Sequence, residues 1–316
     1  MVDDVGSLKI RPLAPDLLQH AMRELNEDPK KRPAYVKDIR DWLKTQEHIV
    51  GVPSDQLIVT FLRGCKFDLD KTKEKLDTYF TIKTLVPEYF KNRDLTKNEQ
   101  LRKILNLRAY ISVPGTDEEG RKIYIMVMGR DEPGTIDPDE AAKFNYMVMD
   151  YLLMEDDVAV VMGIVNLTDL SPLTLQHAKQ LMPSMMKKTT ACSEGGYPFR
   201  PKVVHLLNMP SFVDKILEWI EMFRKDKDDL KVYLYGNDLS ALLSRVPKKL
   251  VPNEFGGEAG TLDELGKEFA DKILAFNDWY VADETNGVDE NKRVGKSKTR
   301  EDLLGMNSNF RELDFD

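Results

Sequence analysis

The side chains that could do chemistry in this chain are scattered. Of the four histidines, His20, His48, His177 and His205, none has a second histidine at i+3 or i+4. That spacing would put two imidazoles on one helix face and hold zinc. There is no Gly-x-Ser-x-Gly elbow and no Gly-x-Gly-x-x-Gly loop, so the chain has neither an exposed nucleophilic serine nor a dinucleotide turn. Gly295-Lys296-Ser297 imitates the end of a phosphate-binding loop. The required first glycine would fall at Glu290, however, and no strand precedes it. His205 sits inside an apolar run, where a satisfied core histidine is the commoner outcome. No enzyme, no metal centre and no cofactor is expected.

Two other constellations point to binding. Lys143, Tyr146 and Asp150 follow one another at helical-turn spacing inside an otherwise apolar stretch. The ladder reads either as the thin solvated edge of a buried helix or as a polar handle in an apolar pocket, holding a ligand hydroxyl or carbonyl. The second constellation is basic. Arg200 and Lys202 precede the run Val203 to Leu207, and Arg224, Lys225, Lys227 and Lys231 lie further on, interleaved with Asp226, Asp228 and Asp229. Converging lysines and arginines are worth about 1 kcal/mol each near an anionic surface. Unconverged, they are a solvated loop.

The elements that must position these groups are legible from periodicity. The first hundred residues read as helices, at Ala14–Leu25, Ala34–Thr45, a short helix to about Arg63, and an Asp68-led helix to about Leu85. From Leu107 the pattern alternates. Strands are predicted over Leu107–Val113, Lys122–Met128, Ala159–Leu167, Val203–Leu207 and Lys231–Leu234. Helices are predicted over Asp139–Met154, Leu175–Ser193 and Phe212–Phe223, with a short one near Leu239 and a closing one over Leu262–Val281. That succession implies an α/β domain with a mostly parallel sheet.

A net charge of -8 argues against nucleic acid. The longest apolar run, Val158 to Val165, is far short of the ~20 residues a membrane span needs. The start has no secretory pattern, and Cys65 and Cys192 fit no disulfide framework. A soluble, cytoplasmic monomer is expected.

The segment from Tyr197 to Gly257 is the most informative. Asn208-Met209-Pro210 ends a strand, and the helix after it carries Phe212, Val213, Ile216, Leu217, Trp219, Ile220 and Phe223 on a stripe roughly 160° wide. Such a helix either packs on the sheet or covers a cavity. The fourteen methionines, many between Met126 and Met186, suit an adaptable cavity lining and equally an ordinary core.

Four stretches, FLRGCKFDLDKTKEKL, GIVNLTDL, YPFRPKVVHLLNMPSF and VPKKLVPNEFGG, resemble the CRAL-TRIO (Sec14-like) lipid-transfer family. The likeness runs from about residue 30 to 280 and is closest to the branch of the α-tocopherol transfer protein and cellular retinaldehyde-binding protein. It implies a helical bundle over residues 1–95, a lipid-binding domain over 96–282 and a polar tail over 283–316. Phe310, Leu313 and Phe315 alternate with charges at that tail's end, a pattern able to dock back onto the body.

The resemblance also implies an apolar cavity under a mobile gate helix, Phe212, Ile216, Ile220 and Phe223. Sheet residues Ile125, Val127 and Ile164 would line it, with Phe144, Tyr146, Met147 and Asp150 from one helix, Met185, Thr189 and Cys192 from another, and Tyr197 from the segment after it. Phosphoinositide headgroups would meet Arg63, Arg200, Lys202, Lys227 and Lys231. Cys65 stands where that branch carries a further phosphate-binding arginine. The function implied is a carrier that binds a small retinoid- or tocopherol-like lipid and exchanges it, transiently, at phosphoinositide-containing membranes. The alternative is a phosphoinositide-sensing adaptor without bulk transfer, which an interior filled with side chains would favour.

Overall fold

The computed structural model describes residues 10–180, 183–212 and 230–304. Helices come first. Ser54 accepts from the Leu57 N–H to start α3 (Asp55–Gly64), and Asp68 accepts from Asp70 and Lys71 to start α4 (Leu69–Leu85). Each cap satisfies N–H groups that the first helical turn leaves unbonded. Leu57 to Leu62 are all buried, so α3 is the inner helix of a bundle with α2 (Arg32–Lys44) and α4. A Cβ on Gly64 would lie 2.4 Å from the Pro198 carbonyl. Only glycine lets the chain leading into the later sheet press this closely on the bundle.

The sheet runs β2 (Tyr110–Ser112), β3 (Lys122–Val127), β4 (Ile164–Asp169), β5 (Pro201–Leu207), β6 (Lys231–Leu234) in spatial order. The first pair is antiparallel and the other three are parallel, matching the mixed, mostly parallel sheet expected. Alternation along β3 divides the molecule. Ile123, Ile125 and Val127 join Val165, Leu167 and Val203 in a core closed by residues 242–265. Tyr124 and Met126 face the other way, towards α7 (Pro138–Glu155).

Three expectations are corrected. The run Ala159–Leu167 is not one strand. Asp156 accepts from the Ala159 N–H and starts α8 (Asp157–Met162), and Gly163, at φ +87°, turns the chain into β4. An apolar run of this length suits helix and strand alike, so periodicity could not separate them. Leu175–Ser193 divides into α9 (Leu175–Ala178) and α10 (Pro183–Gly196). The closing helix breaks at Phe276 into Leu262–Ala275 and Asn277–Asp283. The expected gate helix lies outside the described residues beyond Phe212.

After Asp283 the chain returns to the bundle. β7 (Gly287–Val288) pairs antiparallel with β1 (Ile49–Val50). Arg293 donates to Asp77 at 2.8 Å, Arg300 ion-pairs with Glu88, and Leu304 is buried in the bundle core.

Bundle, sheet domain and returning segment meet at one buried charge cluster. Arg93, fully buried, donates to Asp150 of α7 at 2.6 Å and to Asp283 at 2.5 Å. The Tyr79 and Tyr197 hydroxyls donate to the Asp150 carboxylate at 3.1 and 2.7 Å, and Lys83 pairs with Asp283. Burial alone would raise the Asp283 carboxyl, yet Lys83 and Arg93 outweigh it and hold the group below its usual range. A carboxylate held low gives stability that is complete above its unfolded-state range, about pH 4, and is lost as pH falls through the lowered folded value. Asp283→Asn should therefore cost about 3–5 kcal/mol in urea unfolding at pH 7, since Lys83 and Arg93 stay buried with one counter-ion fewer. It should also make the decline in stability on acidification shallower than in the parent. An unchanged pH slope would contradict this role.

Candidate functional site

A cavity of about 340 Å³ lies between the sheet and α7. Register builds its floor in rows. Tyr110, Met126 and Thr168 stand side by side across β2, β3 and β4, and Tyr124, Asn166 and Val204 form the next row across β3, β4 and β5. The roof is one stripe of α7, Asn145, Val148, Met149 and Leu152, at the i, i+3, i+4, i+7 spacing of a single helix face. Ser193 and Glu194 from the end of α10, with Phe199 and Phe269, complete the wall. A second cavity of about 160 Å³ adjoins it, and Tyr110 and Met126 line both. Most of the lining is carbon. Among the described residues that line the larger cavity there is no lysine, arginine or histidine.

The floor continues past the cavity onto β6. Val232 is in register with Val204 and Leu234 with Leu206, and they are 42% and 55% exposed. An apolar lip therefore borders the cavity.

Of the sequence-predicted lining residues, Ile125 and Ile164 line the larger cavity, and Val127 and Met185 line the smaller. The others take different places. Tyr146 stacks on Tyr89 and donates to the Thr189 carbonyl at 2.7 Å, on the side of α7 that faces the bundle. Asp150 is wholly occupied by the charge cluster described above, so neither residue is a handle for a ligand. Cys192 and Tyr197 belong to the bundle core. Phe144 and Met147 pack in the core shared with α6 (Glu99–Asn106) and the C-terminal helices. Phe212 packs against the Leu170, Leu173 and Leu206 cluster. Ile216, Ile220 and Phe223 lie outside the described residues. Asn145, Asn166 and Thr168, which do line the cavity, were not singled out from the sequence. The signal available was polar residues at alternate positions of an otherwise apolar strand, GIVNLTDL.

The basic set is dispersed. Arg63 is fully buried, donating to Glu27 at 3.0 Å and to Asp157 at 3.3 Å. It is a structural ion pair with nothing to offer a headgroup. Arg200 donates to the carbonyls of Val160 and Val161, both at 2.8 Å, and so caps the last turn of α8. Lys202 rests on Gly163, where a Cβ would lie 2.9 Å from its Cγ. Lys231 is exposed at the same end of the sheet, in register with Val203 and so on the face away from the cavity. Lys227 lies outside the described residues.

His205 is a core residue. Its Nδ1 meets the Tyr235 hydroxyl at 2.8 Å, and burial, with Arg245 and Arg121, lowers its pKa to about 4. Among the described residues no group of His, Cys, Asp or Glu is placed to hold a metal ion, and no helix is long and apolar enough to cross a membrane.

The sheet therefore has an apolar hollow on the face covered by α7 and a closed core on the other. The CRAL/TRIO domain signature matches residues 108–257, and that of a Pinta-like UBA domain matches residues 28–100. The mouse alpha-tocopherol transfer protein-like protein is 30% identical over 252 residues, covering 79% of this chain and 72% of that protein. Rat clavesin-1 is 26% identical over 285 residues, covering 85% of this chain and 79% of clavesin-1. The crystal structure of Sfh5 superposes with a TM-score of 0.51 at 14% identity, over 84% of this chain and 98% of that one. At that identity the likeness speaks to the fold alone. The chain belongs to the CRAL-TRIO family of lipid-binding and lipid-transfer proteins.

Arg63→Met checks the reassignment of the buried arginine. It removes one of two cations from each carboxylate, leaving Glu27 with Arg32 at 2.6 Å and Asp157 with Arg11 at 3.1 Å, and is expected to cost about 1.5–3 kcal/mol in urea unfolding. Co-sedimentation with phosphoinositide vesicles should be unchanged below the unfolding range. Selective loss of vesicle binding in a stably folded variant would return Arg63 to the headgroup site.

Proposed function

We propose that this protein is a non-catalytic carrier that holds a small hydrophobic lipid in the α7 cavity and exchanges it at phosphoinositide-bearing membranes. The single observation that carries the reading is the apolar hollow of about 340 Å³ between the sheet and α7. Burying ~400 Å² of lipid there is worth ~10 kcal/mol relative to water. A bilayer gives the same lipid nearly the same gain, so loading and release depend on a small difference between two apolar environments. The apolar lip at Val232 and Leu234 supports contact with a bilayer. Membrane recognition draws support from the family likeness and from the cations Lys202 and Lys231 at one end of the sheet. A filled interior would have favoured the adaptor reading; a cavity favours carriage.

Protein purified after incubation with mixed-lipid vesicles should retain extractable lipid in about equimolar amount. Val204→Trp, which puts an indole into the floor, should abolish that retention without unfolding the protein. A folded Val204→Trp variant that loads normally would refute the cavity as the site. Lys202→Glu with Lys231→Glu should slow transfer to phosphoinositide vesicles several-fold and leave loading intact. Equal rates would remove the phosphoinositide part of the proposal.

A further inference from the structure

Gly295-Lys296-Ser297, which is no phosphate-binding loop, lies in the segment that returns to the bundle after Asp283. Residues 292–300, KRVGKSKTR, hold five cations and no acid in a chain of net charge -8. The fold turns these cations onto carboxylates. Arg293 donates to Asp77 of α4 at 2.8 Å and to Glu290 at 2.6 Å, and Lys298 donates to Asp77 at 2.5 Å. Lys296 pairs with Asp302 at 3.1 Å, and Arg300 pairs with Glu88. Packing adds little here. Between Val288 and Leu303 the one large apolar side chain, Val294, is 85% exposed. Ion pairs therefore hold this stretch on the bundle, and a change of local charge can undo them.

Ser297 stands inside the basic run, exposed and outside any helix or strand. Gly295, two residues before it, has a φ of +94° and open space where a side chain would be. The Ser297 hydroxyl donates to the Glu290 carbonyl at 2.9 Å, and the Glu290 carboxylate accepts from the Lys298 N–H at 2.8 Å. An exposed hydroxyl in irregular backbone, with cations on both sides, suits a kinase that selects its substrates by positive charge.

We infer that Ser297 is a phosphorylation site and that its phosphate releases the returning segment from the bundle; this does not depend on what the cavity holds. The co-reactant is ATP, and the catalyst is a protein kinase with an acidic substrate groove. The bond between Ser297 Oγ and the γ-phosphorus forms as the bond from that phosphorus to the β,γ-bridging oxygen breaks. ADP leaves, and the hydroxyl proton passes to the kinase's catalytic carboxylate and then to solvent.

Charge dictates the outcome. The ionised ester has no hydrogen to give the Glu290 carbonyl, so oxygen would face oxygen. It also adds about 1.5 to 2 negative charges where Asp77, Glu290 and Asp302 are already matched by Arg293, Lys298 and Lys296. Phosphate oxygens compete for Lys296 and Lys298, and Asp302 and Asp77 lose cations to them. The freed stretch includes Arg300, whose partner Glu88 also holds Lys188 of α10 at 2.8 Å. Since α10 supplies Ser193 and Glu194 to the cavity wall, the segment braces that wall from behind.

The test uses the full chain. It is incubated with Mg-ATP and, in parallel, with the catalytic domains of protein kinase C, cyclic-AMP-dependent kinase and a calmodulin-dependent kinase, and phosphate is located by mass spectrometry. At least one kinase should modify Ser297, and Ser297→Ala should remove most of the phosphate that kinase incorporates. Phosphate only at other positions, or none from any of the three, would overturn the assignment.

Hydrogen exchange then compares the parent with chain carrying phosphoserine installed at 297 by codon suppression. The bonded amides of Val288, Asp289 and Lys298 should exchange about tenfold faster or more, while those of α3 keep their protection. Ser297→Ala should exchange like the parent. Equal protection in the phosphorylated chain would overturn the release, as would faster exchange throughout the bundle, which is general destabilisation. Exchange in Ser297→Ala as fast as in the phosphorylated chain would show that the lost hydroxyl, not the added charge, frees the segment, and would overturn the inference too.

Discussion

The Asp150 carboxylate, buried and held by Arg93, Tyr79 and Tyr197, is the constraint on which the rest of the structure turns. It sits on a helix that is apolar on almost every side and so has no preferred rotation about its own axis. A buried carboxylate cannot be left unpaired, and its partners among the described residues, Arg93, Tyr79 and Tyr197, lie on the bundle side. Fixing Asp150 there turns Tyr146 and Leu153 into the bundle core and Asn145, Val148, Met149 and Leu152 over the sheet. The cavity roof is thus chosen by an ion pair on the opposite side of the helix. The second contact of Arg93, with Asp283, ties the C-terminal helix into the same arrangement.

The division between structural and ligand-facing polarity follows. Every charged group in the interdomain cluster has an opposite charge within hydrogen-bonding distance, and burial is tolerated because the cluster is paired. The cavity has the reverse character. The bulk of its wall is aliphatic or aromatic, and its polar residues are few. The rim at Val232 and Leu234 continues the same apolar face to the surface.

Much of the architecture could be read in the residues themselves. The caps at Ser54, Asp68 and Asp137 mark helix starts, and the alternation in β3 shows a strand with two different faces. The succession of strands and helices after Leu107 dictates a mostly parallel sheet. What could not be read was rotational phase and long-range pairing. Tyr146 and Asp150 and the true lining residues Asn145 and Met149 differ by one position, about 100° on the helix, and on an apolar helix no pattern separates them. The family resemblance puts Arg63 at the headgroup site, whereas the fold buries it in ion pairs. Its partners are 36 and 94 residues away.

Sequence alone therefore determined the succession of the five sheet strands, the family signatures and the apolar character of the interior, because these rest on period and on composition. Only the tertiary structure decided which arginines are surface groups, which face of α7 roofs the cavity, and which polar residues line it. Those outcomes depend on buried charges finding partners far along the chain, and a pairing between distant residues leaves no trace in local periodicity.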